Sequence, residues 1–133
     1  MRPIKQEHFL GCAVACVAFM SNISYQEALL LFEDGENKAS YQGFYCKEIV
    51  NALKKTGLSF EWVHIKNKTS EIIDKPNTIV FIKKSKKYPS GHYLCRKRKK
   101  WMNPWVNFPE LNVKASFTRE LPGDPQYAIV RLP

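Results

Sequence analysis

The residues of this chain best equipped for chemistry are a thiol, an imidazole and two carboxamides. Cys12 follows "QEHFLG" and opens the apolar run "CAVACVAFM". His92 lies in "GHYLCR", eighty residues later, and Asn103 in "KWMNPW". A thiolate attacks a carbonyl carbon. An imidazole takes the thiol proton and later hands it to the leaving group, and a carboxamide fixes the tautomer and orientation of the ring. Gln6, six residues before Cys12, supplies an amide that can donate to the oxyanion beside the backbone N–H of Cys12. Losing one such donor typically costs about 2.7 to 4 kcal/mol of transition-state stabilisation. A thiol at a helix N-terminus near an imidazolium has its pKa lowered to roughly 3.5 to 7.5. Cys12, directly after Gly11, falls at such a position, whereas Cys16, one turn further in, gains little from the helix dipole.

These groups need elements to hold them. Gly11–Met20 reads as a helix with almost no polar face, so it must be covered on most sides. Ser24 and Glu27 in "SYQE" form a capping box for a short helix through Phe32, which "EDGEN" ends. A third helix lies within 40–57, with Phe44, Ile49, Ala52 and Leu53 as its apolar stripe, Cys46 as an inert packed thiol, and Gly57 as its C-cap. After Gly57 the pattern changes to alternation. "LSFEWVHI" reads as a strand, with His64 in a structural place, and "TIVFIKK", "ASFTREL" and "QYAIVRLP" read as further strands. "TSEIID" suits one short helical turn, and "HYLCR" with "KWMNPWVN" a hairpin. Helices first and strands afterwards imply an α+β fold, with N-terminal helices packed on a C-terminal antiparallel sheet.

The hairpin allows a specific expectation. A two-residue turn at Lys97 and Arg98, or a four-residue loop over 96–99, pairs Cys95 with Lys100, Leu94 with Trp101 and His92 with Asn103. Opposed residues share a face with Cβ atoms about 4.5 to 5.5 Å apart, close enough for a ring and a carboxamide to hydrogen-bond.

The bulk properties exclude several classes. At 133 residues, 44% of them hydrophobic, one globular domain spanning 1–133 is expected, and no apolar run reaches the ~20 residues a membrane span needs. Arg2, Lys5 and the run Phe9–Met20 have the outline of an export signal. Glu7 and His8 before the run, Gly11 within it and the absence of a small-x-small site after it argue against one, so a cytoplasmic setting is expected. Four cysteines at 12, 16, 46 and 95, without Cys-x-x-Cys spacing, suit free thiols rather than a disulfide scaffold. A net charge of +9 favours anionic partners without naming one.

In its ordered motifs the chain resembles the papain-like cysteine peptidases, and within them the bacteriocin-processing group that cleaves double-glycine leader peptides. "QEHFLGC", the helix of "SYQGFYCKEIVNALKKTG", "PNTIVFIK", "GHY" and "NP" match that group in order and spacing over roughly residues 4–106. The resemblance implies a papain-like fold, a cysteine peptidase without cofactor or metal, and a peptide or protein substrate. Carried over residue by residue, it makes Cys12 the nucleophile, His92 the base, Asn103 the orienting residue and Gln6 the oxyanion donor. The chain departs from the group in having Gly11 and Ala13 where Asp and Gly usually flank the cysteine, and Asn103 where Asp is more usual. The hairpin is short, and a stand-alone domain without an attached transporter is expected.

Other classes stay open from sequence. His8, Cys12 and Cys16 recur every four residues, a spacing that a continuous helix would turn into three zinc ligands. Lys83, Lys84, Lys86 and Lys87, with Arg96, Lys97, Arg98, Lys99 and Lys100, form two basic clusters close to Tyr88, Tyr93, Trp101 and Trp105, a composition that suits stacked bases in a nucleic-acid groove. A non-catalytic peptide binder on the same fold is the third alternative. In the enzyme reading the basic clusters flank His92, rim the cleft and favour an acidic substrate. Isopeptidase, amidase and transfer chemistry use the same triad, and the cleavage motif and oligomeric state are not legible.

Overall fold

The computed structural model describes residues 2–66 and 70–133. Helices α1 (Cys12–Ser21), α2 (Tyr25–Leu29), α3 (Gly35–Tyr41) and α4 (Cys46–Lys55) precede strand β1 (Phe60–His64) and a helical turn α5 (Ser70–Ile73). Strands β2 (Ile79–Ile82), β3 (His92–Lys97), β4 (Lys100–Asn103), β5 (Ser116–Thr118) and β6 (Pro125–Arg131) complete the chain. The six strands form one sheet in the order β1-β6-β2-β3-β4-β5, and every neighbouring pair is antiparallel. This is the α+β arrangement that the order of helix and strand patterns predicts. No helix among the described residues is long and apolar enough to cross a membrane.

The residue chemistry explains the layering. Residues 13–18 of α1 are fully buried, as expected for a helix without a polar face, and α1 sits between β3, α2 and α4. Helix α4 is amphipathic and turns Cys46, Ile49, Ala52 and Leu53 inward. Cys46 packs as a buried thiol with its Sγ 3.7 Å from the Tyr93 hydroxyl. The opposite sheet face builds a second core from Val80, Ile82, Tyr88, Leu94, Trp101 and Ala128, with Ile72, Ile73, Phe108 and Leu121 against it. Ser24 and Glu27 form the capping box of α2, and Gly57 ends the α4 segment with a φ of 89°.

Three expectations change. Helix α2 stops at Leu29, and the segment read as its terminator begins α3. Only Gly35 and Ala39 of α3 are buried, so it carries no apolar periodicity to reveal it. The "TSEIID" turn is present from Ser70 to Ile73, while Thr69 lies outside the described residues. In the hairpin, Arg98 adopts a φ of 57°, which places the turn at Arg98 and Lys99 and pairs Lys97 with Lys100, Arg96 with Trp101 and Cys95 with Met102. The pairing is one position further along each strand than expected. His92 and Asn103 are therefore diagonal neighbours and not directly opposed, but they keep the same face because the shift preserves the two-residue alternation.

Candidate active site

The N-terminus of α1, the first residue of β3 and the last residue of β4 converge at one end of the sheet. A small notch of about 20 Å³ there is lined by Gln6, Cys12, Tyr88, His92 and Phe108 among others. All four residues expected to carry chemistry reach this place. Gln6, Cys12 and His92 line the notch, and Asn103 lies behind His92, with Gln6, His92 and Asn103 buried at 2%, 3% and 2% exposure.

On the imidazole side both side-chain polar atoms of Asn103 are bonded. His92 Nε2 lies 2.7 Å from Asn103 Oδ1, and the same oxygen accepts the Trp105 backbone N–H at 2.9 Å. Asn103 Nδ2 donates to the Tyr88 hydroxyl at 3.1 Å, and that hydroxyl donates to the Trp105 carbonyl at 2.7 Å. The Tyr88 ring lies flat on the imidazole, with centroids 4.1 Å apart and planes 5° from parallel. Because Oδ1 is an acceptor, His92 must donate from Nε2, which leaves Nδ1 with the free lone pair. Gly91 leads into His92 at a φ of 76°, and a Cβ there would overlap the Phe81 ring, so only glycine makes this entry without strain.

The sulfur side is organised differently. Cys12 is half-buried at the head of α1, where its backbone N–H precedes the first helical bond, from Ala15 N to the Gly11 carbonyl. Its Sγ accepts the Tyr93 backbone N–H at 3.5 Å, one residue beyond His92. Among the described residues no hydrogen bond joins Sγ to the imidazole. Burial pushes the Cys12 thiol up to about 12, against the opposing pull of the Tyr93 N–H. Burial also lowers His92 to about 4, with the Asn103 bond opposing and the nearby Lys87 charge reinforcing it. The resting pair is thus a neutral thiol and a neutral imidazole. Desolvation by burial opposes the lowering expected from the helix terminus, which the backbone N–H groups at the head of α1 still favour.

Gln6 Nε2 donates to the His8 and Phe9 carbonyls at 3.1 and 3.0 Å, while its Oε1 is buried without a partner. The amide braces the loop ahead of Cys12 and presents its edge to the notch. A Cβ at Gly11 would overlap the Tyr25 hydroxyl, so a larger residue there requires the tyrosine to shift. That hydroxyl is bonded to His8 Nδ1 at 2.9 Å. Helix α1 begins at Cys12, so His8 lies outside it and bonds Tyr25 instead, which removes the alternative of a His8–Cys12–Cys16 metal face. Among the described residues no group of three or more His, Cys, Asp or Glu is placed to hold a metal ion.

A groove of about 760 Å³ leads from Cys12 past Tyr45, Trp62, Phe81, Lys84 and Tyr127. On the strand face of β1 that it shares with Trp62, Phe60 is buried while Trp62 is 48% exposed. The two basic clusters do not both rim this site. Lys84 lines the groove and Lys87 stands 5.7 Å from the Tyr88 ring, but Arg98 at the hairpin turn is about 20 Å along β3 from His92. The aromatics that suggested base stacking, Tyr88, Tyr93, Trp101 and Trp105, are all buried at 4% exposure or less, so their faces are closed to a nucleobase. Sequence reasoning missed Tyr88 as a site residue. Its one signal was its position four residues before His92, ahead of a Pro-Ser-Gly turn.

No protein-family model and no curated protein matches the sequence. Among solved structures, the chain is similar to the peptidase domain of Streptococcus ComA, a bifunctional ABC transporter involved in a quorum-sensing pathway. The TM-score is 0.62 at 20% identity, covering 99% of this chain and 98% of that one. It is also similar to a double-glycine motif protease from an AMS/PCAT transporter, solved in complex with the leader peptide, with a TM-score of 0.58 at 12% identity over 98% of this chain and 91% of that one. The peptidase domain of Streptococcus mutans ComA aligns over 100% of both chains with a TM-score of 0.51 at 20% identity. With α1 and α4 packed on one face of the sheet and the notch at the head of α1, the chain has the fold of the papain-like double-glycine peptidase domains.

Proposed function

We propose that this protein is a cysteine peptidase in which Cys12 is the nucleophile, His92 the base, Asn103 the orienting residue and Gln6 an oxyanion donor. The observation that carries this reading is the 2.7 Å bond from His92 Nε2 to Asn103 Oδ1, at a notch that Cys12 and Gln6 also line. That bond leaves His92 Nδ1 as the free base on the ring. A rotation of Cys12 about χ1 releases Sγ from the Tyr93 N–H and turns it towards the ring. Nδ1 then takes the thiol proton as sulfur bonds to the substrate carbonyl carbon. The carbonyl oxygen becomes an oxyanion, met by the Cys12 backbone N–H and by the Gln6 amide, which exchanges one of its loop carbonyls for it. The imidazolium gives its proton to the departing amine as the C–N bond breaks, leaving a thioester. Water, deprotonated by the same nitrogen, opens the thioester and restores the thiol.

The cavity shapes favour a particular substrate. The notch beside Cys12 is narrow, about 20 Å³, which favours small residues such as glycine at the cleaved bond. The groove of about 760 Å³ offers exposed aromatic faces to a longer peptide segment, and Lys84 with Lys87 favours acidic side chains beside the cut. A leader peptide cut at a double-glycine motif has small residues of this kind, and the similar AMS/PCAT double-glycine motif protease was solved in complex with the leader peptide. The test is mass-spectrometric mapping of a peptide library after incubation with the wild type and with Cys12→Ser. Cuts after small residues, present only with the wild type, support the reading. A wild-type profile identical to that of Cys12→Ser rejects it in favour of a peptide-binding module.

A further inference from the structure

We propose that Tyr88 is a positioning residue that sets the proton pattern of the site and makes the third position suit an amide rather than a carboxylate. This deepens the peptidase reading and rests on it. The Tyr88 hydroxyl has one hydrogen, and it goes to the Trp105 carbonyl at 2.7 Å. Only a lone pair is left to face residue 103, so the atom opposite it must be a donor. Asn103 Nδ2 meets that condition at 3.1 Å. With Nδ2 fixed there, Oδ1 is fixed towards the Trp105 N–H and His92 Nε2. The sequence of donors and acceptors closes on itself, and both the backbone N–H and the backbone carbonyl of Trp105 take part in it.

The consequence for His92 is direct. Its Nε2 must carry the hydrogen, and Nδ1 is kept as the base. The parallel Tyr88 ring, 4.1 Å from the imidazole, blocks rotation of the ring out of this plane. An aspartate at 103 would place a second carboxylate oxygen against the Tyr88 hydroxyl. That oxygen and the Trp105 carbonyl would then compete for one hydrogen, leaving a buried acceptor without a partner. The asparagine here, where the resembled group more often has aspartate, thus follows from the tyrosine four residues before the histidine. Tyr88 is 2% exposed and touches the reaction only through Asn103 and His92.

The test is solution NMR on protein labelled with ¹⁵N-histidine, reading the tautomer of His92 and the solvent-exchange rate of its Nε2–H. It uses the wild type, Tyr88→Phe, Asn103→Ala and the double variant. In the wild type His92 is the Nε2–H tautomer with a protected proton. Tyr88→Phe keeps the stacked ring but removes the hydroxyl, and exchange of that proton rises about tenfold. In the Asn103→Ala background Tyr88→Phe adds nothing, since its effect passes through Asn103. An Nδ1–H tautomer in the wild type overturns the proposal without any variant. So does an unchanged exchange rate in Tyr88→Phe, or multiplying effects in the double variant. None of these readings needs a substrate, so a protein that passes them yet cleaves nothing defeats the peptidase reading alone.

Discussion

The two sides of the site are built to different standards of order. On the imidazole side, every polar atom of Asn103 has a partner, and His92 is held by one hydrogen bond and one stacked ring. On the sulfur side, Cys12 is tied to the Tyr93 N–H and Gln6 to two loop carbonyls, so neither points its working group at a reacting atom. The first side comes from a hairpin inside a six-stranded sheet, where neighbouring strands over-determine each side chain. The second comes from a loop and the first turn of a helix. Under the proposed function, the contrast means that His92 is oriented before substrate arrives, while Cys12 and Gln6 are brought into line by the substrate itself.

Perturbing each side separates these roles. The largest effect belongs to the sulfur. Cys12→Ala lowers kcat by at least about 10⁴-fold with the fold intact, whereas Cys46→Ala leaves kcat unchanged; steady-state rates on a peptide found in the library experiment check both. Asn103→Ala comes next. It leaves the His92 Nε2–H and the Trp105 N–H without an acceptor, so it lowers kcat about 10²-fold and costs about 1 to 3 kcal/mol of stability, read by urea denaturation. Gln6→Ala costs about 10²-fold in kcat if substrate draws the amide from its loop carbonyls to the oxyanion. A change confined to KM or to stability would make Gln6 a loop brace only.

Acid stability gives a smaller effect with a definite sign. His92 titrates near 4 in the folded protein, below the ordinary value of 6.5, because burial disfavours its charged form. Between those values the unfolded chain binds the proton and the native one does not, so stability falls as pH drops from about 6.5 to about 4 and levels off below it. The loss is about 3 kcal/mol, and it vanishes in His92→Gln, as urea midpoints across that range would register. The smallest effect is on thiol reactivity. With the Cys12 thiol held up to about 12, its alkylation by iodoacetamide stays slow at pH 6 and keeps rising beyond pH 9. A plateau already reached by pH 6 would indicate a preformed ion pair instead.

Much of this was legible in the chain itself, for reasons that differ between elements. The buried helix α1 announces itself by lacking a polar face, and β2 and β6 by their β-branched, apolar content. The His92–Asn103 partnership survived a wrong register because strand geometry preserves parity even when the turn moves by one residue. The turn moved because Arg98 takes a left-handed conformation that nothing in its side chain advertises. Helix α3 was invisible because it buries almost nothing. The neutral state of Cys12 and His92 was out of reach as well. It depends on desolvation in the folded chain, and a local motif suggests only the dipole and the neighbouring charge. Tyr88 was hidden for the same reason, since its role is defined by the Trp105 peptide, seventeen residues away.

The most direct measurement is covalent trapping. A peptide ending in glycine vinyl sulfone, with acidic residues upstream, is incubated with the protein at neutral pH and the adduct is mapped by mass spectrometry. A single adduct at Cys12 is expected, absent in His92→Ala, with Cys16, Cys46 and Cys95 unmodified. Labelling spread over several cysteines, or undiminished labelling of Cys12 without His92, would contradict the assignment of a thiol nucleophile served by that imidazole.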